Sequence, residues 1–379
     1  MDFELSDDQL ALQEAAAGLL RARCTTARVR QVADTGRHLD DDLWRAMAEQ
    51  GWPAVELGEA QGGLGLGLVE VAVLCEQLGR HLAPVPFGGT VLTLGALRRA
   101  VDGGALDAQT PLADVPLDAW IERLAAGAAR GALCWPAGAG ALAAEPGPDG
   151  WRLTGRAAPV VYGPEADVVV AWATPGGQAA PARLFALANT DPRPVAQPAM
   201  DRTRSLAWLE LDAQPALALG DEGAADALLD RALAALSAEM LGAASTVLEM
   251  TVQYSKDRVQ FGRPIGSFQA VKHRCADMLV DVEGMRSAAY YAAWAVGAGD
   301  PDASAAASAA KVWCSDAARR VMGSGLQVHG GIGFTWEHDL HLYLKRSQLD
   351  QVTLGDAPFH RDRIAAILRP RAEAGRPVF

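Results

Sequence analysis

The sequence predicts an α+β chain in the order helices, strands, helices, and three features carry that reading. To about residue 130, apolar residues recur at helical spacing between recognisable helix starts and stops. From 131 to 220 the pattern changes to short apolar runs cut by Gly and Pro, the signature of a small β domain. From 221 to 379 long Ala/Leu-rich stretches return, long enough for the extended helices of an antiparallel bundle. Elements segregated in this way argue against a βαβ dinucleotide fold, and no GxGxxG follows a strand.

Each element has a local reason. Ser6 and Gln9 form a capping-box pattern ahead of Leu10, Leu12, Leu19 and Leu20, so a helix starts at Ser6. Helices are expected over Asp41 to Gln50, closed by Gly51, and over Leu68 to Leu78, closed by Gly79, because glycine accepts the left-handed conformation that ends a helix. The run Gly62 to Gly67 reads as a loop. Strands are expected at Leu133 to Pro136, Trp151 to Thr154, Asp167 to Ala173, Arg183 to Ala188 and Leu206 to Leu211. The long helices are Asp226 to Tyr254, Ser267 to Val296 and Ala303 to Met322.

Composition excludes several function classes. With 379 residues, half of them hydrophobic and 21% charged, the chain is an ordinary globular protein of two or three domains. The net charge is −12 and no Lys/Arg cluster stands out, so nucleic acid is not an expected partner. The cysteines Cys24, Cys75, Cys134, Cys275 and Cys314 lack the close pairing of a zinc or redox motif. The amino terminus is acidic and no run of eighteen uncharged apolar residues occurs, so a cytoplasmic chain without a membrane span is expected.

Two segments are rich in chemistry. YSKDRVQFGRPIGSFQAVKHRCADM, from Tyr254 to Met278, ends one helix, turns at Phe261, Gly262, Pro264 and Gly266, and starts another, which exposes Arg258 and Gln269 near the turn. The planar fork of an arginine suits pyrophosphate oxygens, and a glutamine offers both a donor and an acceptor to a nucleotide. QVHGGIGFTWEHDLHLYLKR, from Gln327 to Arg346, carries Gly330, Gly331 and Gly333, which permit close approach of a bulky group. The plainer alternative is that Arg258 and Gln269 cap helices and the glycines make a turn.

Together these segments resemble the acyl-CoA dehydrogenase family, whose most specific patterns are R-x-x-F-G-x-P-I…F-Q and Q-x-x-G-G-x-G-F. The resemblance extends through Leu43-Trp44, Gly51-Trp52, Gly62-Gly63-Leu64-Gly65, Glu76 to Arg80 and Ala83-Pro84. It implies the acyl-CoA dehydrogenase-like fold of N-terminal helical domain, middle β-barrel and C-terminal four-helix bundle, assembled as dimers or tetramers with FAD at a subunit interface. It places Arg258, Phe261, Gln269, Gln327, Gly330 and Gly331 on positions that hold the pyrophosphate and adenosine of a flavin lodged mainly in the neighbouring subunit. It also implies an acyl-CoA substrate and an electron-transfer flavoprotein as acceptor.

The family pattern breaks where the flavin ring and the base should be. The barrel's Thr-Glu-Pro…Gly-Ser and Trp-Ile-Thr segments are matched here by Leu133 to Gly140, LCWPAGAG, and by Ala158 to Tyr162, APVVY. The reaction removes an α-proton and requires a positioned carboxylate. In the family's Tyr-Glu-Gly-Thr pattern the glutamate position is Leu354, within Thr353-Leu354-Gly355-Asp356. The alternative base position of some relatives, 26 residues before Arg258, is Ala232. Asp230, Glu239 and Asp356 stand nearby, but their plainer reading is as solvated, interface or capping carboxylates. The expectation is a heteromer, α2β2-like, whose homologous partner supplies the base and most of the acyl pocket; heteromeric members of the family act on bulky esters such as steroid side-chain intermediates. Competing readings are a homo-oligomeric flavin oxidase or monooxygenase and a non-catalytic scaffold subunit. His273, His329, His338, His341 and His360 are expected in surface or supporting roles, and Trp336 either at an interface or near the cofactor.

Overall fold

The computed structural model describes residues 4–36, 38–135, 142–147, 150–176, 181–189 and 192–375. Helices α1 (Asp7–Arg23), α2 (Thr26–Asp34), α3 (Asp41–Glu49), α4 (Leu68–Arg80), α5 (Phe87–Asp102) and α6 (Leu117–Ala125) come first, with a minimal hairpin of β1 (Pro111–Leu112) and β2 (Val115–Pro116) before α6. Strands β3 (Gly131–Cys134), β4 (Ala143–Gly147), β5 (Gly150–Val161), β6 (Val168–Pro175), β7 (Arg183–Ala188) and β8 (Leu206–Ala218) follow. The chain then forms α7 (Glu222–Asp257), the hairpin β9 (Val259–Gln260) and β10 (Arg263–Pro264), and α8 (Gln269–Ala298), α9 (Ala303–His329), α10 (Leu340–Val352) and α11 (Ala357–Glu373). This is the predicted order of N-terminal helical domain, middle β-barrel and C-terminal helical domain.

Local chemistry explains most starts and stops. Ser6 caps α1 in a complete capping box with Gln9, and Asp40 caps α3 through Leu43 N. Gly51 follows α3 with φ 77°, as expected of a glycine beyond a helix end. Gly79 behaves differently. It lies inside α4, not at its end, and a Cβ there would collide with the backbone carbonyl of Glu239 on α7. The reciprocal position, Gly242 on α7, faces the backbone carbonyl of Glu76 on α4. The two glycines therefore serve a close helix crossing.

By contact, the described chain divides into two compact units, one of Met1–Arg30, Leu68–Ala83 and Leu233–Phe379, the other of Gln31–Gly67 and Pro84–Ala232. In the second unit the sheet order is β3-β6-β4-β5-β8-β7, and β7 also pairs with β6, which closes the barrel. Alternate residues point inward: Val169, Ala171 and Ala173 of β6, Phe185 and Leu187 of β7, Leu153 and Ala157 of β5. Strand β5 runs about three times and β8 about twice as far as their apolar runs suggest, because a register shift between Ala157 and Val160 lets the ladder pass Pro159. Strand β4, only half apolar, escaped the sequence reading for want of an apolar run.

In the first unit, α8, α9 and α11 pack together, and α4 carries the buried carboxylate of Glu76. That group accepts from Arg286 at 3.0 Å and from the Tyr290 hydroxyl at 2.7 Å. Among the described residues one helix, Gly223–Asp257, is apolar enough to cross a membrane by length and composition. Its most apolar window is 78% buried within the fold, as in a core helix.

Candidate functional site

The first motif begins where α7 runs out at Asp257. Arg258 N–H still donates to Tyr254 O at 2.9 Å, and Arg258 O accepts from Ile265 N at 2.8 Å, so the hairpin closes directly on the helix end. Its two central residues, Phe261 (φ 54°) and Gly262 (φ 77°), are both left-handed, as a tight two-residue hairpin requires. Glycine adopts this conformation freely, whereas phenylalanine is strained there. The result is an aromatic ring held out at the tip: Phe261 is 90% exposed, with only an edge-on contact to Phe268, ring centroids 6.1 Å apart.

Arg258 and Gln269 are exposed, and neither has a hydrogen-bonded or ionic side-chain partner among the described residues. Gln269 opens α8 after a single 3-10 turn, Ile265–Ser267. The second motif straddles the end of α9. Gln327 is exposed in the last turn, the helix stops at His329, and Gly330 (φ 62°) begins a 3-10 segment that runs to Phe334. A Cβ at Gly330 or Gly331 would meet nothing within 4 Å, whereas one at Gly333 would press on Leu326, His329 and Leu340. Gly330 and Gly331 thus face open space, and Gly333 serves packing inside the chain. Beyond them Phe334 and Trp336 are exposed, Trp336 lying under the Lys345 ammonium at 4.0 Å and edge-on to His341.

These residues fit the nucleotide part of a flavin laid on from outside. An unpaired guanidinium, two unengaged amides, an outward aromatic ring and an open glycine backbone are what a pyrophosphate and an adenosine need.

The positions matched to the base look different. Leu354 is buried at φ 61°, and its carbonyl accepts from His360 Nε2 at 2.9 Å. Lys311, fully buried on α9, donates to the carbonyls of Asp350 (2.8 Å) and Gln351 (2.9 Å) at the end of α10, just ahead of that turn. Burial pulls the Lys311 pKa down to about 8. Asp356 caps α11 by accepting from Phe359 N at 3.0 Å. Glu239 is bound by Arg346, itself fully buried, at 3.0 Å. Ala232 and Asp230 are both buried.

In the barrel, residues 136–141 lie outside the described residues, so the stretch matched to Thr-Glu-Pro is described only as far as Trp135, which packs edge-on against Trp172. Tyr162, at the end of the APVVY stretch, is buried at φ 56° and donates its backbone N–H to Ser205 O.

Three of the histidines take the supporting role and not the surface one. His329, His341 and His360 are buried, because each is anchored within the fold: His329 by Gly325 O at 2.8 Å, His341 beside Arg30 and Lys345, His360 by Leu354 O. Burial lowers the pKa of all three, that of His360 to about 4. Sequence reasoning also missed the stacking of Tyr254 on His329, centroids 4.5 Å apart and planes within 22°. An aromatic four residues before Arg258 and a histidine two after Gln327 were the only signs of it.

Comparison with known proteins identifies the family. Residues 6–100 match the family model described as acyl-CoA dehydrogenase, N-terminal domain, and residues 223–368 that of the C-terminal domain. The acyl-CoA dehydrogenase IpdE2 of Mycobacterium tuberculosis is 38% identical over 342 residues, 90% of this chain and 91% of the relative. The acyl-CoA dehydrogenase FadE27 of the same organism is 33% identical, over 96% of this chain and 98% of the relative. Among solved structures, a chain of the ChsE4-ChsE5 complex from Mycobacterium tuberculosis superposes with a TM-score of 0.85 at 30% identity, covering 100% of both chains. The Tcur3481-Tcur3483 steroid ACAD variant gives 0.85 at 32% identity, over 97% of this chain and 99% of that one. By motif, fold and relatives alike, the chain belongs to the acyl-CoA dehydrogenase family, the FAD-dependent oxidoreductases that act on a CH–CH bond beside a thioester.

Proposed function

We propose that this chain is one subunit of a heteromeric acyl-CoA dehydrogenase for a bulky, steroid-derived acyl-CoA, and that it completes the nucleotide cradle of a flavin seated in a homologous partner. The observation that carries the reading is the contrast between the two halves of the site. Where the family keeps its base, the chain has Leu354, buried, its carbonyl tied to His360, and at the alternative position Ala232. Neither side chain accepts a proton. The cradle residues Arg258, Phe261, Gln269, Gln327, Gly330 and Gly331 meanwhile face outward.

Bound FAD supplies a hydride acceptor at the β-carbon. This chain's own share is to hold negative charge at Arg258, offer amide hydrogen bonds from Gln269 and Gln327, and cover the adenosine with Phe261. The α-proton goes to a carboxylate of the partner. One of the similar structures is the ChsE4-ChsE5 complex and another is a steroid ACAD variant, which supports both the heteromer and the substrate class. We assign the domains as 1–130, 131–220 and 221–379.

The test is to purify the chain alone and together with a homologous, glutamate-bearing partner, then read flavin absorbance and acyl-CoA-dependent reduction. Flavin and turnover only in the pair are expected. Full flavin occupancy with dehydrogenation by the chain alone overturns the proposal, and oxygen consumption by a flavin-bearing homo-oligomer would point to an oxidase. Unchanged flavin affinity on Arg258→Ala in the pair would leave a scaffold role.

A further inference from the structure

The two cradle motifs lie far apart in sequence but are joined by one aromatic contact. Tyr254 sits in the last turn of α7, and its carbonyl receives the Arg258 N–H at 2.9 Å, so the ring is locked to the backbone that launches the guanidinium. His329 is the last residue of α9, two beyond Gln327 and directly before Gly330. The two rings stack at 4.5 Å with 22° between their planes. His329 is itself held on two further sides. Its Nδ1 donates to Gly325 O at 2.8 Å, and the His338 ring packs on it at 4.6 Å. His338 Nδ1 in turn accepts from Leu340 N at the start of α10, and Gly333 folds back over the His329 Cβ.

We infer that Tyr254 and His329 are positioning residues for the cofactor cradle: their stack fixes the spacing between Arg258 on one side and Gln327 to Gly331 on the other. This rests on the cradle reading given above. A dinucleotide is a ligand of fixed reach, so donors on two separate helix ends bind it well only when their separation is set beforehand. The exposed side chains of Arg258, Phe261 and Gln327 cannot set that separation; the stack does so at the helix ends, beyond the packing of Gly325 on Val247 and Thr251. Rings in face contact at 4.5 Å fix the distance between the two helix ends along the ring normal.

The experiment uses the co-purified assembly and measures FAD affinity by flavin release and rebinding, with thermal unfolding in parallel. Leucine and phenylalanine at each position separate bulk from stacking, because both fill the space, both remove the polar atoms, and only phenylalanine keeps a flat ring. Tyr254→Leu and His329→Leu are expected to weaken FAD binding about tenfold, and Tyr254→Phe and His329→Phe to stay within about twofold. The double leucine variant should lose little more than either single one, since both delete the same contact. Leucine and phenylalanine variants that behave alike overturn the inference, as do leucine variants with unchanged affinity while Arg258→Ala loses tenfold or more. If Arg258→Ala itself leaves affinity untouched, the cradle reading falls, and the stack then has nothing to position.

Discussion

Arg346 is fully buried and holds the Glu239 carboxylate at 3.0 Å, which makes this carboxylate, two helical turns beyond the lost base position Ala232 on α7, a structural anion. Glu239→Gln removes the negative charge from this buried ion pair and should cost about 3–5 kcal/mol of stability in urea unfolding. Restoring an apolar match with Glu239→Leu and Arg346→Met together should recover much of that loss. A Glu239→Gln protein of normal stability with abolished turnover would instead mark Glu239 as the proton acceptor.

The same chemical change should have opposite signs at two helical glycines. Gly79→Ala drives a methyl group into the Glu239 backbone and should destabilise by about 3 kcal/mol or more, because two helix backbones must part. Gly323→Ala, on α9, meets nothing within 4 Å and should stabilise by about 0.5–1 kcal/mol through helix propensity. Chemical denaturation of both variants checks the pair.

His360 predicts an acid sensitivity. Its Nε2 donates to Leu354 O, its Nδ1 is buried with no hydrogen-bond partner among the described residues, and burial lowers its pKa to about 4. Between about pH 4 and 6.5 the unfolded chain binds a proton that the folded chain refuses, so stability falls as pH falls through that window, by at most about 3 kcal/mol from this group. His360→Gln can still donate to the carbonyl but cannot titrate. Proton uptake on unfolding at pH 5 should drop by close to one; an unchanged uptake would show that His360 titrates normally.

Phe261 trades stability for its outward ring. At φ 54° on a two-residue turn, glycine should be preferred by about 1 kcal/mol, so Phe261→Gly is expected to raise the stability of the unassembled chain. The same variant should weaken flavin retention in the assembly. Equilibrium unfolding of the isolated chain and flavin release from the pair read the two effects separately.

The features legible in the sequence are those whose cause is local. Ser6 and Gln9 announced a capping box, Phe261-Gly262 a turn, and Arg258 the end of a helix, since each depends on residues a few positions away, whereas α9 runs past its expected end at Met322 to His329. Gly79 misled because a glycine that ends a helix and one that lets a second helix approach look the same until the second helix is seen. The burial of His360 and Lys311 was likewise invisible, for their partners at Leu354, Asp350 and Gln351 lie on other elements. At Leu354 and Ala232 only the family pattern made the missing carboxylate noticeable; a leucine and an alanine by themselves announce nothing.

Trp336 gives the molecule an optical reporter of its own. Its indole is 59% exposed beside the glycine-rich turn, with the Lys345 cation over its face. Water around an indole reddens its emission, and a nearby isoalloxazine or adenine would drain it, so docking of a second protein with its coenzyme should appear as a blue-shifted, quenched signal that vanishes in Trp336→Phe. Assembly could then be followed in real time without a label.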